Sequence, residues 1–382
     1  MKKEKVLHIV TVSFAINHFF GEQFIYLKKN NANEYHLGCS PSKEFIELSN
    51  RLSYIPFGVE ITRSISPLKD IKAIIRIYRY IKSNSISKVV GHTPKGGMVA
   101  MIASFFANIP DRIYFRHGII YETSTGFKRV LLKNIERLSG YLATEVVCVS
   151  QSVFDISIKD KLNKTSKNLI LGLGTCNGIN TEKKFNPSKM DYDYIKVLKS
   201  KLDITKEDKV VGYVGRLVRD KGIDDLIQAW KVVELKYSNA KLLLIGPFEE
   251  RDSISEYSKN EILENPSIIF TDFVADTAPY FSLMNIFVLP TYREGFSTVA
   301  LEASSMNLPV IITRATGCKE AIIENKTGLF ISNNPIDIAN KIIFYLDNME
   351  LAKEHGYQGR MFVQDNFEQT IIWDLISEKL KI

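Results

Sequence analysis

Two carboxylates that bracket one short segment are the first candidates for chemistry in this sequence. Glu294 and Glu302 begin and end the segment EGFSTVALE. Gly295 allows a tight turn, and Ser297 or Thr298 can cap the helix predicted to follow it. Because a helical segment would hold the two acids apart, they are poorly placed to share one proton. They are better suited to accept hydrogen bonds from two separate groups of one ligand, such as a ribose and a hexose; ordinary surface charge is the alternative from spacing alone.

A basic loop in the second half of the chain predicts an anion site. The segment GYVGRLVRDKG follows a predicted strand, and its Gly215 lets the backbone turn closely. Arg216 and Lys221 then lie on the loop that leads to a helix N-terminus, which attracts anions, and a guanidinium with a nearby ammonium suits a diphosphate. Two solvated basic residues are the simpler alternative. The backbone N–H groups of Phe296 and Ser297 are predicted to be free and to face an anion as well.

Candidate ligand contacts also follow predicted strands in the first half. His117 follows Arg116 in the segment YFRHG, and His92 lies in GHTPKGG with Lys95 nearby. In open α/β sheets, ligands bind beyond the carboxyl ends of the strands. We therefore predict that His117 faces the substrate and that His92, Lys95 and Arg116 contact an acceptor. A structural histidine and a plain helix entry are the respective alternatives.

Two further segments carry weaker signals. In RATGCKE, Gly317 could allow a close backbone approach, and Glu320 is predicted to begin a helix. Asp191 and Asp193 form a D-x-D pair of the kind that binds metals elsewhere, but they follow no hydrophobic strand, so we predict no metal site. Four cysteines far apart, without C-x-x-C spacing, predict buried free thiols: Cys39, Cys148, Cys176 and Cys318.

Alternating strands and helices must position these residues. Short apolar runs such as KVLHIVTV, SKVVGHT and EVVCVS alternate with helical periodicity, as in PLKDIKAIIRIYRYIKS, and the second half repeats the pattern. This alternation predicts parallel, doubly wound α/β sheets, and 382 residues suit two domains. We predict a first domain over 1–180, on which the helix at about 365–382 packs back, and a second over 181–364. Such a pair predicts a cleft between the domains.

Charge is divided unevenly between the halves. Residues 1–185 carry 27 Lys and Arg against 14 Asp and Glu, whereas the remainder carries 23 against 29. The basic half could face phospholipid headgroups, a pyrophosphate or nucleic acid, and scattered solvated lysines are an equal alternative. No signal peptide is visible, and the longest apolar window, MVAMIASFFANIP, is shorter than the roughly 20 residues that a spanning helix needs.

The motifs taken together resemble a known family. GRLVRDKG, EGFSTVALEA and TGCKE, in that order and after the connection CNGIN, resemble family 4 of the glycosyltransferases, and the resemblance covers nearly the whole chain. It implies the GT-B fold, in which two Rossmann-like doubly wound domains face a central cleft. It also implies retaining transfer of a sugar from a nucleotide-sugar donor, with no metal or other cofactor.

The resemblance also implies a role for each candidate. The donor diphosphate would be held by Gly215, Arg216 and Lys221 together with the turn of Gly295, Phe296 and Ser297. Glu302 would accept from the ribose, Glu294 from the donor sugar, and the base would lie near Phe273 and Val274. His117 would reach the donor sugar, so that the catalytic set is His117, Glu294, Arg216 and Lys221.

The implied mechanism needs no nucleophilic carboxylate. Positive charge around the leaving diphosphate stabilises charge that grows in the transition state. The acceptor would attack from the face that the diphosphate leaves, and a donor phosphate would take its proton. One feature departs from the family: many members carry glycines in the loop after the first strand, whereas here that loop, TVSFAINHFFG, has only Gly21. Donor contacts and acceptor shape are expected to differ there.

The first half resembles the branch that builds bacterial surface polysaccharides on polyprenyl-diphosphate carriers, through RSISPLKDIKAI, GHTPKGGMVA and RHG. That branch implies a hexose or N-acetylhexosamine, a UDP-sugar donor and a lipid-linked saccharide acceptor. It also implies a cytoplasmic protein at the inner membrane face, where the helices PLKDIKAIIRIYRYIKS and FKRVLLKNIERL could meet anionic lipid. The alternatives are a nucleotide-sugar hydrolase or epimerase on the same scaffold; nucleic-acid binding is not expected, because no interleaved surface aromatics or known module is present.

Overall fold

The chain folds into two compact units, as a computed structural model of residues 3–62, 64 and 66–382 shows. Arg63 and Ile65, in the segment RSISPLKDIKAI, lie outside the described residues, as do Met1 and Lys2. The first unit comprises 1–178 and 369–382, and the second comprises 179–368. The junctions predicted from the sequence lie a few residues away, at 180 and 364.

A parallel sheet forms the centre of the first unit. Within the described residues its strands, in chain order, are β1 Lys5–Ile9, β2 Glu34–Cys39, β3 Ile55–Gly58, β4 Lys88–His92, β5 Asp111–Arg116, β6 Glu145–Cys148 and β7 Asn168–Leu169. Their order across the sheet is β3-β2-β1-β4-β5-β6-β7, and every neighbouring pair is parallel. The order reverses between β1 and β4, which is the point where open α/β sheets bind ligands.

Helices pack on this sheet: α1 Phe14–Phe19, α2 Gln23–Asn30, α3 Lys43–Leu52, α4 Pro67–Asn84, α5 Pro94–Phe106, α6 Gly126–Leu142 and α7 Gln151–Lys159. The segment FFGEQFIYLKK has the composition of a single helix, but the structure divides it between α1 and α2. Gly21 lies between them with φ 48°, a left-handed conformation that ends the first helix. The short helix α1 thus follows β1, in the segment where the family resemblance leads us to expect a glycine-rich loop.

The second unit repeats the architecture. Its strands are β8 Lys209–Val214, β9 Ala240–Ile245, β10 Ile268–Phe270, β11 Ile286–Leu289, β12 Val310–Thr313 and β13 Gly328–Ile331. Across the sheet they lie in the order β10-β9-β8-β11-β12-β13, again with parallel neighbours, so that the order reverses between β8 and β11. The two sheets confirm the predicted doubly wound α/β class.

The helices of the second unit are α8 Tyr192–Lys201, α9 Ile223–Lys236, α10 Glu256–Glu264, α11 Ala278–Phe281, α12 Thr298–Ser305, α13 Pro335–Asp347 and α14 Met349–Phe367. The predicted helix start at Glu320 is wrong, because Glu320 lies in consecutive turns. The N–H groups of Cys318 and Ala321 donate to the carbonyls three residues earlier, of Ala315 and Cys318, and no helix continues from them.

The last helix, α15 Gln369–Leu380, belongs to the first unit. The indole ring of Trp373 lies 5.2 Å from the ring of Tyr26 on α2, and its Nε1 donates to Oδ1 of Asn177 at 2.9 Å. The Tyr26 hydroxyl also donates to Asp374 at 2.8 Å. These contacts fasten the C-terminus to the unit in which the chain begins.

Two further predictions concern the whole chain. The four cysteines are buried and free, as predicted. Over the described ranges, no helix combines the length and apolar character needed to cross a bilayer.

Candidate active site

Three motif-bearing loops meet at the carboxyl ends of neighbouring strands in the second unit. They follow β8, β11 and β12, where the strand order reverses. The loop after β11 lies in the middle: the Tyr292 N–H donates to the carbonyl of Asp220 at 3.0 Å, and the Glu294 N–H donates to that of Thr316 at 2.8 Å. The segment EGFSTVALE is therefore held from both sides by the two other motifs.

This packing requires glycine at two positions. Gly222 has φ 70°, and a Cβ there would lie 2.1 Å from the carbonyl oxygen of Pro290. Gly317 has φ 72°, and a Cβ there would lie 2.4 Å from the carbonyl oxygen of Gly295. Both the backbone conformation and the close approach exclude other residues. The close approach predicted at Gly317 is thus present, and Gly222 fixes the position of the preceding Lys221.

The cation of one motif meets the acid of another. Lys221 Nζ forms an ion pair with Oε1 of Glu294, and the two side chains are only 17% and 15% exposed. Arg216 forms a more exposed ion pair, in which its Nη1 lies 2.6 Å from Oε2 of Glu249. Glu249 was not predicted, although its place in the segment IGPFEE, just after β9, follows the strand-end rule used for the other motifs.

Glu302 lies one turn into α12 and is half-buried. Burial raises the pKa of its carboxyl group to about 7; Asp276 adds to this rise and Lys184 opposes it. A carboxyl group with this pKa is poorly solvated, so hydrogen-bond donors from a ligand would stabilise its charged form. This property suits the predicted contact with hydroxyl groups.

The predicted free amide of Ser297 is wrong. Its N–H donates to the carbonyl of Gly317 at 2.8 Å, because the neighbouring loop supplies an acceptor that the sequence did not reveal. Ser297 lies at the N-cap position of α12, yet its side chain makes no capping bond, and its buried Oγ has no partner among the described residues. The roles of Phe296, of the exposed Phe273 and of Val274 stay predictions.

In the first unit, His117 follows β5 and His92 ends β4. His92 is wrongly predicted as an acceptor contact, because it is buried and both of its ring nitrogens are bonded. Its Nε2 lies 3.1 Å from Nδ1 of His8, and its Nδ1 lies 3.1 Å from Nε2 of His117.

Burial, with a smaller effect of His18, lowers the pKa of His117 to about 3. The lowered pKa favours the uncharged form of His117 at neutral pH, in which the ring can donate or accept a hydrogen bond.

Arg116 is also wrongly predicted as an acceptor contact, since it is 0% exposed. Its Nε donates to Glu136 at 3.1 Å, and its Nη1 donates to Ser157 at 2.6 Å and to Asn163 at 3.0 Å. The buried ion pair with Glu136 gives Arg116 a structural role.

Lys95 is bonded to Asp70, which balances its charge, and to the carbonyl of Ser64 at 3.0 Å. Its contact with an acceptor stays a prediction. Asp191 of the D-x-D pair caps α8 by accepting from the Tyr194 N–H at 3.1 Å. Over the ranges that the structure describes, no group of three or more His, Cys, Asp or Glu residues is placed to hold a metal ion.

Two Rossmann-like units, one of which carries cations and acids at its strand-order reversal, define the GT-B class of glycosyltransferase folds. Solved structures of that class match almost the whole chain. A structure of Anabaena Alr3699/HepE in complex with UDP and glucose has a TM-score of 0.82 and 18% identity, over 99% of each chain. A glycosyltransferase from Rickettsia africae ESF-5 has a TM-score of 0.81 and 19% identity, over 100% of this chain and 98% of the other. At these identities the likeness shows the fold.

Sequence comparisons give the family. The family described as "Glycosyl transferases group 1" matches residues 195–362, and "Glycosyl transferase 4-like" matches 8–150. The Staphylococcus aureus capsular polysaccharide biosynthesis glycosyltransferase CapM is 34% identical over 98% of this chain and 96% of its own length. The Escherichia coli UDP-Gal:alpha-D-GlcNAc-diphosphoundecaprenol alpha-1,3-galactosyltransferase is 26% identical over 78% of this chain and 75% of its own. The chain belongs to the family 4 glycosyltransferases of bacterial polysaccharide biosynthesis.

Proposed function

We propose that this glycosyltransferase moves a hexose or N-acetylhexosamine from a UDP-sugar to a polyprenyl-diphosphate-linked saccharide, with retention at the anomeric carbon and without a metal ion. The observation that carries the proposal is the ion pair between Lys221 and Glu294, which joins the predicted diphosphate-binding and sugar-binding motifs in one place. The donor and acceptor named for the Escherichia coli relative support it, as does the name of a Campylobacter jejuni relative that acts on a diphospho-undecaprenol-linked sugar.

In the proposed donor complex, the cations pair with the diphosphate. Lys221 and Arg216 now pair with Glu294 and Glu249, so a diphosphate would take over part of each interaction. Glu294 would then accept hydrogen bonds from hydroxyls of the donor sugar, and Glu302 would accept them from the ribose. As the bond from the anomeric carbon to the phosphate oxygen breaks, Lys221 and Arg216 stabilise the charge on the departing UDP.

The acceptor step follows on the same face of the sugar. The acceptor hydroxyl oxygen bonds to the anomeric carbon as the phosphate oxygen leaves, and a phosphate oxygen of UDP takes the hydroxyl proton. In the first unit, neutral His117 contributes a hydrogen bond to the saccharide and no proton. This arrangement gives retention without a covalent glycosyl-enzyme.

Contact with an anionic membrane is proposed for the helices α4 and α6, both of which pack against α5. The apolar side chains of α4 that remain exposed are spaced by three or four residues and form one stripe: Leu68, Ile71, Ile75 and Tyr78. Basic side chains of the same helix accompany the stripe, namely Lys69, which pairs with the exposed Glu60 at 3.0 Å, and Lys72, Arg76, Arg79 and Lys82. The one acid of α4, Asp70, is buried against Lys95.

Helix α6 has the same character. Its exposed apolar side chains include Phe127, Val130 and Tyr141, and its one acid, Glu136, is buried against Arg116. Both helices therefore present apolar and positively charged groups without an exposed carboxylate. Apolar side chains can enter the interface of an anionic bilayer while Lys and Arg meet its headgroups. This surface suits a protein that acts on a lipid-linked acceptor at the inner face of the cytoplasmic membrane.

Transfer from a panel of radiolabelled nucleotide sugars tests the proposal. UDP-glucose, UDP-galactose, UDP-N-acetylglucosamine and UDP-N-acetylgalactosamine are each incubated with an undecaprenyl-diphosphate-linked saccharide, with and without EDTA. We expect one donor to label the lipid fraction in both conditions, and an α-linked product by NMR. Absence of transfer from every donor contradicts the proposal, and UDP release that needs no acceptor indicates a hydrolase.

An arginine variant tests the site within the same assay. Arg216→Ala should lower the turnover by roughly 100-fold, as expected for loss of a group that stabilises transition-state charge. Lys231→Ala is the matched control, because Lys231 is a similarly exposed cation of the second unit, paired with Glu261 at 3.0 Å. Equal turnover in the two variants would remove Arg216 from the site.

A further inference from the structure

Three histidines form a continuous row beneath the strand ends of the first unit. His8 lies on β1, His92 ends β4 and His117 follows β5, so they come from three adjacent strands at and beside the strand-order reversal. Nδ1 of His8 lies 3.1 Å from Nε2 of His92, and Nδ1 of His92 lies 3.1 Å from Nε2 of His117. We call these residues the imidazole row.

Each ring of the row is neutral at physiological pH. Burial lowers the pKa of His8 and of His117 to about 3, and it lowers that of His92 well below its ordinary value, with both neighbouring rings adding to the effect. A neutral imidazole carries one N–H and one bare nitrogen, so each bond of the row has one donor and one acceptor. The direction of the first bond therefore fixes the tautomer of every ring that follows.

The buried end of the row indicates that direction. Nε2 of His8 has no hydrogen-bond partner among the described residues, and the ring lies against the aromatic rings of Phe20 and Phe24, at 5.3 and 5.0 Å. A buried N–H without a partner is rarer in proteins than an unpaired acceptor. His8 is therefore expected to carry its hydrogen on Nδ1 and to leave the bare nitrogen in the apolar pocket.

The hydrogen positions then follow along the row. Nδ1–H of His8 donates to Nε2 of His92, which leaves the hydrogen of His92 on Nδ1. That N–H donates to Nε2 of His117, which leaves the hydrogen of His117 on its own Nδ1. The ring of Phe19 stacks on His117 at 4.0 Å between centroids and limits its rotation. Helix α1, which replaces the expected glycine-rich loop, supplies this ring.

We propose that His8 and His92 are positioning residues that hold His117 as the Nδ1–H tautomer, so that His117 donates a hydrogen bond to an oxygen of the bound saccharide. The proposal rests on the proposed function, because it takes His117 to contact the substrate. It adds two residues, His8 and His92, that touch no ligand. It also assigns the direction of the hydrogen bond: Nδ1–H of His117 donates, and an oxygen of the saccharide accepts.

Nitrogen NMR tests the tautomers without any need for activity. The full chain is prepared with ¹⁵N in the histidine rings, and two-bond proton–nitrogen spectra distinguish Nδ1–H, Nε2–H and charged rings. Single variants assign the signals: His8→Phe, His92→Phe and His117→Phe. We expect all three rings of the row to be Nδ1–H in the wild type. An Nε2–H or charged His117 overturns the proposal, whatever the transfer assay shows.

Kinetics test the consequence for the reaction. His92→Phe should lower kcat/KM for transfer by about tenfold, the size expected for one hydrogen bond in the transition state, and leave the Kd of UDP within twofold. His92→Asn should recover most of the loss, because its amide N–H can replace Nδ1–H toward His117. His36→Phe is the matched control: His36 is equally buried on β2 of the same sheet and is bonded to Tyr80 and Glu34.

Equal losses in His92→Phe and His36→Phe would show a purely structural role and overturn the proposal. The same conclusion follows if His92→Asn is as impaired as His92→Phe. If the wild type transfers no sugar at all, the proposed function fails, and the NMR result alone then decides whether the row sets the tautomer of His117.

Discussion

Replacement of Glu302 by Gln should stabilise the second unit at alkaline pH and weaken its binding of the nucleotide. Burial raises the pKa of this carboxyl group from 4.5 to about 7. Between these pH values the folded protein keeps the proton that the unfolded chain loses. The stabilising contribution of the group is therefore complete below pH 4.5, and it is lost as the pH rises through 7.

The magnitude follows from the two pKa values. At roughly 1.4 kcal/mol for each pH unit, the gap between 4.5 and about 7 amounts to at most about 3.5 kcal/mol of unfolding free energy at pH 8. Glutamine has nearly the same shape and no charge, so Glu302→Gln removes this penalty. It also replaces a charged acceptor with a neutral one, and the affinity for UDP should fall about tenfold or more.

The measurement uses the two tryptophans of the chain, which report on different units. Trp230 lies buried on α9 in the second unit, and Trp373 lies on α15 in the first. In a Trp373→Phe background, fluorescence-monitored urea unfolding follows the second unit at pH 5.5 and pH 8. Calorimetry with UDP at pH 8 gives the affinity. Glu264→Gln, an exposed acid on α10, is the matched control.

We expect Glu302→Gln to have a larger unfolding free energy than the Trp373→Phe parent, and this difference should be greater at pH 8 than at pH 5.5. Glu264→Gln should have the same unfolding free energy as the parent at both pH values. A difference that does not change between the two pH values would refute the assignment of the raised pKa to Glu302. Unchanged UDP affinity would refute its contact with the nucleotide.

Three further predictions concern the fold and the surface. Gly222→Ala should destabilise the protein by more than 1 kcal/mol and lower turnover, because the added methyl group would meet the Pro290 carbonyl. Gly126→Ala is the control: Gly126 has a similar positive φ but no atom within 4 Å of an added Cβ, so this variant should show the backbone strain alone. Equal shifts in Tm for the two variants would contradict the close approach of Gly222 to Pro290. Glu136→Ala should cost about 3–5 kcal/mol in urea unfolding, because it leaves buried Arg116 unpaired, and a cost under about 1 kcal/mol would show that the guanidinium finds another partner. The double variant Ile71→Ser, Ile75→Ser should bind phosphatidylglycerol vesicles roughly tenfold more weakly than the wild type, with an unchanged Tm. Ile46→Ser, at an exposed position on α3, should bind like the wild type. Equal binding of the wild type and both variants would exclude α4 from the membrane contact.

The sequence was sufficient for the architecture because most of the long helices and buried strands carry their own signal. Buried parallel strands such as Val310–Thr313 are continuous apolar runs, and a long helix such as Pro67–Asn84 repeats its apolar residues at helical spacing. Two shorter elements, Lys43–Leu52 and Ile55–Gly58, were not predicted, although the buried Phe45, Leu48 and Leu52 of the first repeat at helical spacing behind the N-cap Ser42. The break at Gly21 was also missed. In a helical sequence pattern, a glycine that ends the helix in a left-handed conformation looks the same as a glycine inside a continuous helix.

The site was predicted only in part, and the errors have a common physical cause. The strand-end rule located Arg216, Lys221 and Glu294 in loops that do meet, because parallel strands bring their carboxyl ends to one edge. The same rule failed for Arg116, where the side chain points into the core and finds Glu136. Residues on a strand that is buried on both faces show no alternation, so the sequence did not separate Arg116 from its neighbour His117.

What the sequence determined by itself was the class of fold, the order of the motifs and the family, since periodicity and motif spacing are properties of neighbouring residues. Only the tertiary structure decided which groups are partners. In the folded protein the Ser297 N–H donates to the Gly317 carbonyl, and Lys221 forms an ion pair with Glu294. His8 forms a hydrogen bond with His92, which lies 84 positions away in the chain. Hydrogen bonds and ion pairs depend on distances in space, and those distances exist only once the strands lie side by side.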